Sequence, residues 1–115
     1  MLTAQLIEYA EHEFALNKRQ KDGASLRDHL EIVHRQTGKT PPQLEPVDIP
    51  YGIQYLWGFF CDISGGRGYS EAGAMPLSYS EILAWSQLTK SDPTAWEISV
   101  LKSIDRAFLT ESNKK

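Results

Sequence analysis

The chain has 115 residues with three Trp, five Tyr and four Phe, which is enough for one compact domain over residues 1–115 and argues against a disordered chain. Its 12 Lys and Arg and 15 Asp and Glu give a formal net charge of −3, so no broad basic face is expected and nucleic acid is an unexpected partner. The single cysteine excludes a disulfide framework, and no apolar run approaches the ~20 residues that cross a bilayer, so we expect a cytoplasmic protein.

Two helices are predicted before residue 39. The first, over residues 2–21, has apolar residues at helical spacing and ends before the Asp-Gly pair at 22–23. The second begins at a capping box, Ser25-Leu-Arg-Asp28, in which the serine and aspartate side chains bind free backbone N–H groups. It carries Leu26, Leu30 and Val33 on one face and ends at Gly38.

Residues 39–50, KTPPQLEPVDIP, hold four prolines. Each proline fixes its own φ and moves the preceding residue away from the helical region, so an extended connector is predicted. It resembles a hinge or strap between the two halves of the chain. A linker between separate domains is the alternative, but each half would be small for an independent domain.

A helix that is apolar on almost every side is predicted over residues 51–63. One stripe combines Ile53, Leu56, Trp57, Phe60 and Ile63, while Tyr55 and Phe59 lie off it. Such a helix is either central or carries a second face for a partner. It is followed over residues 64–77 by a flexible Gly-rich loop that contains Ser64-Gly65-Gly66-Arg67-Gly68.

Two more helices complete an all-α domain of about five helices. The capping box Ser78-Tyr-Ser-Glu81 begins the fourth helix. Asp92-Pro93 predicts the start of the fifth, with Asp92 as its N-cap. The last helix has an apolar stripe as far as Phe108, and residues 110–115 are predicted to form a frayed tail.

No pattern in the chain predicts a catalytic centre, a metal site or a cofactor. Cys61 is followed by Asp62, which disfavours a reactive thiolate. None of the three histidines belongs to a set of three ligands with the spacing of a metal site. The glycine-rich loop lacks the Lys-Ser/Thr of a P-loop, because Tyr69 follows Gly68. We therefore predict that the protein is not an enzyme.

Residues 78–109 have the outline of a helix-turn-helix, a short helix followed by a longer one. In a DNA reader the start of the second helix meets base edges and phosphates. Here that start carries Asp92 and Glu97, whose charge opposes phosphate. An ordinary helical hairpin is favoured, and a small DNA-binding or transcriptional regulator remains the alternative function.

The large side chains divide into a predicted core and a predicted partner surface. The core is expected to take Trp57, Phe60, Trp85, Trp96 and Phe108, with Trp57 open between core and contact. Tyr55 and Phe59 lie on the outer side of their helix, and Arg67 and Tyr69 lie in the loop. Because exposed aromatic surface usually marks a protein contact, these four residues are the predicted partner-binding residues.

The pattern as a whole resembles small tail assembly chaperones of long-tailed bacteriophages and prophages. The resemblance spans residues 25–109 and is carried by QYLWGFFCDISGGRG, PLSYSEILAWSQLT and PTAWEISVLKSIDRAFL; residues 1–24 match no family. It implies a non-catalytic helical protein in the bacterial host cytoplasm that binds the tape-measure protein and keeps it soluble while the tail assembles. Self-association is also compatible with the resemblance. No residue role is carried over from the family.

Overall fold

The computed structural model describes residues 2–45, 47–49 and 51–113. Over these residues the chain forms five α-helices, one 3-10 turn and a small antiparallel hairpin, which confirms the predicted mostly helical class. The α-helices are α1 (Leu2–Asn17), α2 (Leu26–Thr37), α3 (Gln54–Ser64), α4 (Tyr79–Thr89) and α5 (Ala95–Ser112). The 3-10 turn is Pro42–Leu44, and the hairpin pairs β1 (Tyr69–Ser70) with β2 (Gly73–Ala74).

The first helix ends four residues earlier than predicted, at Asn17. The chain closes a turn there, in which the Gln20 N–H donates to the Ala24 carbonyl at 2.7 Å and the Leu26 N–H donates to the Lys18 carbonyl at 3.0 Å. The capping box at Ser25 is present as predicted. These backbone hydrogen bonds outweigh the helical preference of residues 18–21.

The proline-rich connector contains a helical turn that the composition did not indicate. Pro42–Leu44 packs against α2, and a ring nitrogen of His12 lies 2.8 Å from the Gln43 carbonyl oxygen. Residues 46 and 50 lie outside the described part of the chain. The connector is therefore tied to α1 and α2, and its role as a hinge stays a prediction.

The hydrophobic core lies where α1, α3, α4 and α5 meet. Helix α1 packs along α5, and α3 and α4 pack beside them. The core residues that are less than 3% exposed are Leu6, Ala10, Leu56, Phe60, Leu77, Ile82, Leu101 and Ile104. Burying a side chain of this size stabilises a fold by roughly 1.5–3 kcal/mol, so this cluster supplies most of the driving force.

The last helix begins and ends later than predicted. Its N-cap is Thr94, whose hydroxyl accepts from the Glu97 N–H at 3.2 Å while the Thr94 N–H donates to the Glu97 carboxylate at 2.7 Å. Asp92 is not the N-cap, because Thr94 and Glu97 satisfy a complete capping box two residues later. The helix continues to Ser112, and fraying of its end stays a prediction; residues 114 and 115 lie outside the described part of the chain.

Candidate functional site

Helix α3 presents three apolar flanks because its turns carry large side chains on nearly every side. Leu56, Phe60 and Ile63 are buried and face the core. At about 100° per residue, Trp57 and Cys61 fall on one flank of that stripe. Tyr55 and Phe59 fall on the opposite flank. The central helix predicted from the sequence therefore borders two separate surfaces.

The first surface is a cleft between α1, α3 and α5, with a volume of about 640 Å³. Its aromatic lining comes from Phe14, Trp57, Phe60 and Phe108, and we call it the aromatic cleft. The Phe14 ring centroid lies 5.5 Å from that of Trp57 and 5.2 Å from that of Phe108. The volume falls within the range of ligand sites, roughly 300–1,000 Å³.

Polar groups form the rim of the aromatic cleft: Asn17, Lys18, Arg19, Cys61, Ser64, Tyr69, Glu111 and Ser112. The Lys18 ammonium donates to the Glu111 carbonyl at 2.9 Å and so neutralises the carbonyl end of α5. Partial desolvation against the cleft wall, followed by the negative charge of Glu13, raises the pKa of the Cys61 thiol. A raised pKa reduces the thiolate fraction and so disfavours nucleophilic chemistry at Cys61.

A buried ion pair lies next to Phe108, between the Gly-rich segment and α5. Arg67 Nη2 donates to Asp105 Oδ1 at 2.5 Å, and both side chains are at most 3% exposed. Arg67 Nη1 donates to the Met75 carbonyl at 2.8 Å, and Asp105 Oδ2 accepts from the Leu77 N–H at 3.0 Å. The Arg67 guanidinium carbon also lies 4.2 Å from the Phe108 ring centroid. This arrangement fastens residues 67–77 to α5.

These contacts correct the expectation for Arg67. Partner contact requires an accessible guanidinium, but Arg67 is buried and directs its donors at its own chain. Tyr69, two residues later, is 69% exposed and belongs to the cleft rim. The Gly-rich segment thus contains a hairpin with fixed contacts at Arg67 and Leu77, and the predicted flexibility of its remaining residues stays a prediction.

The second surface is formed by Tyr55, Phe59 and Trp85, and we call it the outer aromatic face. The Tyr55 and Phe59 ring centroids are 5.4 Å apart, and those of Phe59 and Trp85 are 4.8 Å apart. Trp85 Nε1 donates to Asp62 Oδ2 at 2.6 Å, which fixes the indole between α3 and α4. A groove of about 310 Å³ continues from Trp85 to the exposed Leu88.

A polar contact joins the outer aromatic face to the start of α5. The Glu97 carboxylate, through its interaction with the Tyr55 hydroxyl, raises the pKa of Tyr55 more than burial does. The pKa of Glu97 is lowered, first by the Thr94 N–H and then by Tyr55. The same carboxylate therefore caps α5 and interacts electrostatically with the Tyr55 hydroxyl.

The five aromatic residues assigned to the core occupy different environments. Phe60 is buried, while Trp57, Trp85 and Phe108 pack against the core and are partly exposed. Trp57 is both a core and a cleft residue. Trp96 corrects the expectation, because it is 50% exposed. Its neighbours in the apolar pattern, Val100 and Leu101, take the buried side of α5 instead.

Sequence reasoning missed two residues on which these surfaces depend. Phe14 belongs to the apolar pattern of the first predicted helix, and its ring joins those of Trp57 and Phe108 in the cleft. Asp105 was not singled out, yet it holds Arg67 and the Leu77 backbone. A signal was available: Asp105 follows Leu101 by four positions on the apolar face of a helix, where an unpaired carboxylate would be costly.

Two negative results apply to the described residues. None of their helices combines the length and the apolar character that crossing a membrane would require. No three of their histidine, cysteine, aspartate or glutamate side chains converge in a way that could hold a metal ion.

Comparison with known proteins assigns the chain to a family. No curated protein and no solved structure shows significant similarity to the chain. A family model described as phage tail assembly chaperone matches residues 33–110. This stretch is more than half of the chain, and it includes α3, the Gly-rich segment, α4 and most of α5. The chain therefore belongs to the phage tail assembly chaperone family.

Proposed function

We propose that this chain binds the tape-measure protein in the cytoplasm of the bacterial host and keeps it soluble while the tail assembles. The observation that carries the proposal is the family match over residues 33–110, which contains every residue of the outer aromatic face. The role is one of binding, with no chemical step. A long helical partner with apolar stripes aggregates unless those stripes are covered, so the chaperone must offer exposed apolar surface.

The outer aromatic face is the proposed contact surface. Tyr55 is 42% exposed and Leu88 is 85% exposed, and the groove between α3 and α4 joins Trp85 to Leu88. A shallow apolar groove between two helices suits the apolar stripe of an amphipathic helix. Trp85 and Tyr55 are residue types that dominate binding energy at such interfaces.

The alternative function as a DNA-binding regulator gains no support from the arrangement of α5. The first turn of α5 carries Trp96 and Glu97. Lys102, further along α5, lies over the Tyr79 ring at 4.7 Å and donates to the Leu77 carbonyl at 2.6 Å. Its ammonium is thus occupied within the chain, while a DNA reader directs its cations at phosphates.

Co-expression with the tape-measure-type protein of the same genome tests the proposal. We expect that partner to remain soluble only when this chain is present, and a mixed complex to be seen by light scattering. Tyr55→Ala combined with Phe59→Ala should abolish the complex. Because Phe59 also packs against the core, the variant Leu88→Glu is the sharper test. Its site is 85% exposed, so we expect the fold to be retained.

The matched control is Tyr79→Ala. Tyr79 is an exposed tyrosine on α4 that faces a different cleft, with Lys102 and Arg106. We expect this variant to form the complex as the unmodified chain does. If the partner is equally insoluble with and without the chain, the proposal is wrong. If Leu88→Glu and the Tyr55/Phe59 variant both bind normally, the outer aromatic face is not the contact surface.

A further inference from the structure

We propose that the aromatic cleft is a second binding site, which accepts an apolar anchor of an amphipathic helix with an acidic residue beside that anchor. The cleft is separated from the outer aromatic face by the width of α3, because Trp57 and Cys61 lie on the flank of this helix opposite Tyr55 and Phe59. This site is additional to the proposed contact surface for the tape-measure protein. Its ligand is identified by chemical class, an apolar side chain with an acidic neighbour.

The aromatic floor of the cleft is the reason to expect an apolar anchor on the bound helix. Phe14, Trp57 and Phe108 are each partly exposed although they pack against the core, so their rings keep apolar area in contact with water. Covering such area contributes roughly 25 cal/mol per Å². The Phe14 ring contacts those of Trp57 and Phe108, with centroids 5.5 and 5.2 Å apart. The three rings therefore form one continuous aromatic surface on which an aromatic or large aliphatic side chain can pack.

The exposed positive charge of Arg19 at the rim is the reason to expect an acidic residue beside the apolar anchor of the bound helix. Lys18 is held against the carbonyl end of α5. Arg19 is exposed, and its guanidinium donates to the neutral Gly23 carbonyl at 2.7 Å. Within the part of the chain that the structure describes, no carboxylate pairs with Arg19. An acidic side chain on the bound helix would supply the missing partner.

The Phe108 side of the cleft is supported before binding. The buried pair of Arg67 and Asp105 holds the segment that carries Tyr69, and the Arg67 guanidinium lies against the Phe108 ring. A wall fixed in this way loses little conformational entropy when a ligand binds.

Cys61 provides a local readout of occupancy, because it lines the cleft and is the only cysteine of the chain. The probes are two synthetic amphipathic peptides of about 15 residues, identical in their apolar stripe, with Glu or Lys beside a central Phe. At ten times its dissociation constant, the Glu peptide should slow alkylation of Cys61 by iodoacetamide about tenfold. The Lys peptide at the same concentration should slow it less than about twofold.

Arg19→Glu should reverse the preference between the two peptides, and circular dichroism should show an unchanged fold because Arg19 is exposed. The matched control is Arg106→Glu, an exposed arginine at another cleft, which should leave both protection factors unchanged. Equal protection by both peptides, protection by neither, or no effect of Arg19→Glu would overturn the proposal.

Two further outcomes test whether the cleft is a separate site and whether a peptide, and not a second copy of the chain, occupies it. Leu88→Glu should leave the peptide protection intact even where it abolishes tape-measure binding; loss of protection would mean that the cleft is not a separate site. Protection of Cys61 that rises with protein concentration in the absence of peptide would identify a second copy as the occupant, and would also overturn the proposal.

Discussion

At the scale of single residues, the buried pair of Arg67 and Asp105 sets the position of the Gly-rich segment. Two opposite charges that are both desolvated gain stability only when their remaining donors and acceptors are satisfied. Here Met75 and Leu77 supply those partners from the backbone. The pair therefore specifies where the Gly-rich segment lies on α5, and its net contribution depends on both members being present.

Arg67→Met should lower the free energy of unfolding by about 3–5 kcal/mol, because it leaves the Asp105 carboxylate buried without a cation. The measurement is the urea midpoint at constant slope. Arg106→Met, at an exposed arginine, is the control and should change stability by less than about 0.5 kcal/mol.

Combining Arg67→Met with Asp105→Leu should recover part of the loss, since the uncompensated charge is then removed. A loss of less than about 1 kcal/mol for Arg67→Met alone is the value typical of an exposed salt bridge. It would contradict the burial of this pair.

At the scale of elements, the start of α5 is set by its capping box and not by the Asp-Pro pair that precedes it. Asp92-Pro93 has the composition of a helix start, but the complete Thr94–Glu97 box satisfies two backbone N–H groups and sets the first turn at Ala95. The pKa values of Glu97 and Tyr55 are also shifted by each other. The capping of α5 is thereby linked to the outer aromatic face.

Thr94→Ala should lower the free energy of unfolding by about 1 kcal/mol, since the Glu97 N–H loses its side-chain acceptor. Chemical denaturation measures the change. Thr110→Ala is the matched control: it removes an exposed threonine from the last turns of the same helix, where alanine has the higher helix propensity. A loss at residue 110 that equals the loss at residue 94 would contradict the capping role.

Glu97 also predicts a pH dependence. Its pKa is lowered in the folded state, so its contribution is complete at neutral pH, above the ordinary glutamate pKa, and is lost as the pH falls through the folded value. The stability difference between the unmodified chain and Glu97→Gln should therefore shrink on acidification. Denaturant midpoints measured in a pH series check this, and a difference that does not vary with pH would contradict it.

At the scale of the whole molecule, α1 is part of the fold although the matched family region begins at residue 33. Leu6 and Ala10 are fully buried, and α1 packs along α5. Phe14 completes the aromatic cleft from the same helix. We propose that residues 1–115 act as one cooperative unit, with α1 as the helix that covers α5.

Leu6→Ala should lower the free energy of unfolding by about 2–5 kcal/mol, the usual cost of a cavity in a packed core. Circular dichroism and tryptophan fluorescence should report the same lowered midpoint if the unit is cooperative. Gln5→Ala, at the exposed neighbouring position, should change stability by less than about 0.5 kcal/mol. Two separate transitions would show that α1 unfolds independently.

The amino-acid sequence by itself determined the helical class and the approximate positions of five helices. It also determined two of the three capping boxes found among the described residues. These features depend on residues within about one helical turn of each other, so local spacing carries the information. The unusual character of α3 was also readable, because apolar residues on nearly every side of a helix require contacts on several flanks.

Only the tertiary structure decided what each flank of α3 meets. Arg67 and Asp105 are far apart in the chain, so no local pattern assigns them to each other, and Trp96 follows the apolar spacing of α5 yet remains half exposed. The aromatic cleft needs rings from α1, α3 and α5 together. Such a site arises from helix packing, in which side-chain volume and burial select among faces that the sequence leaves equivalent.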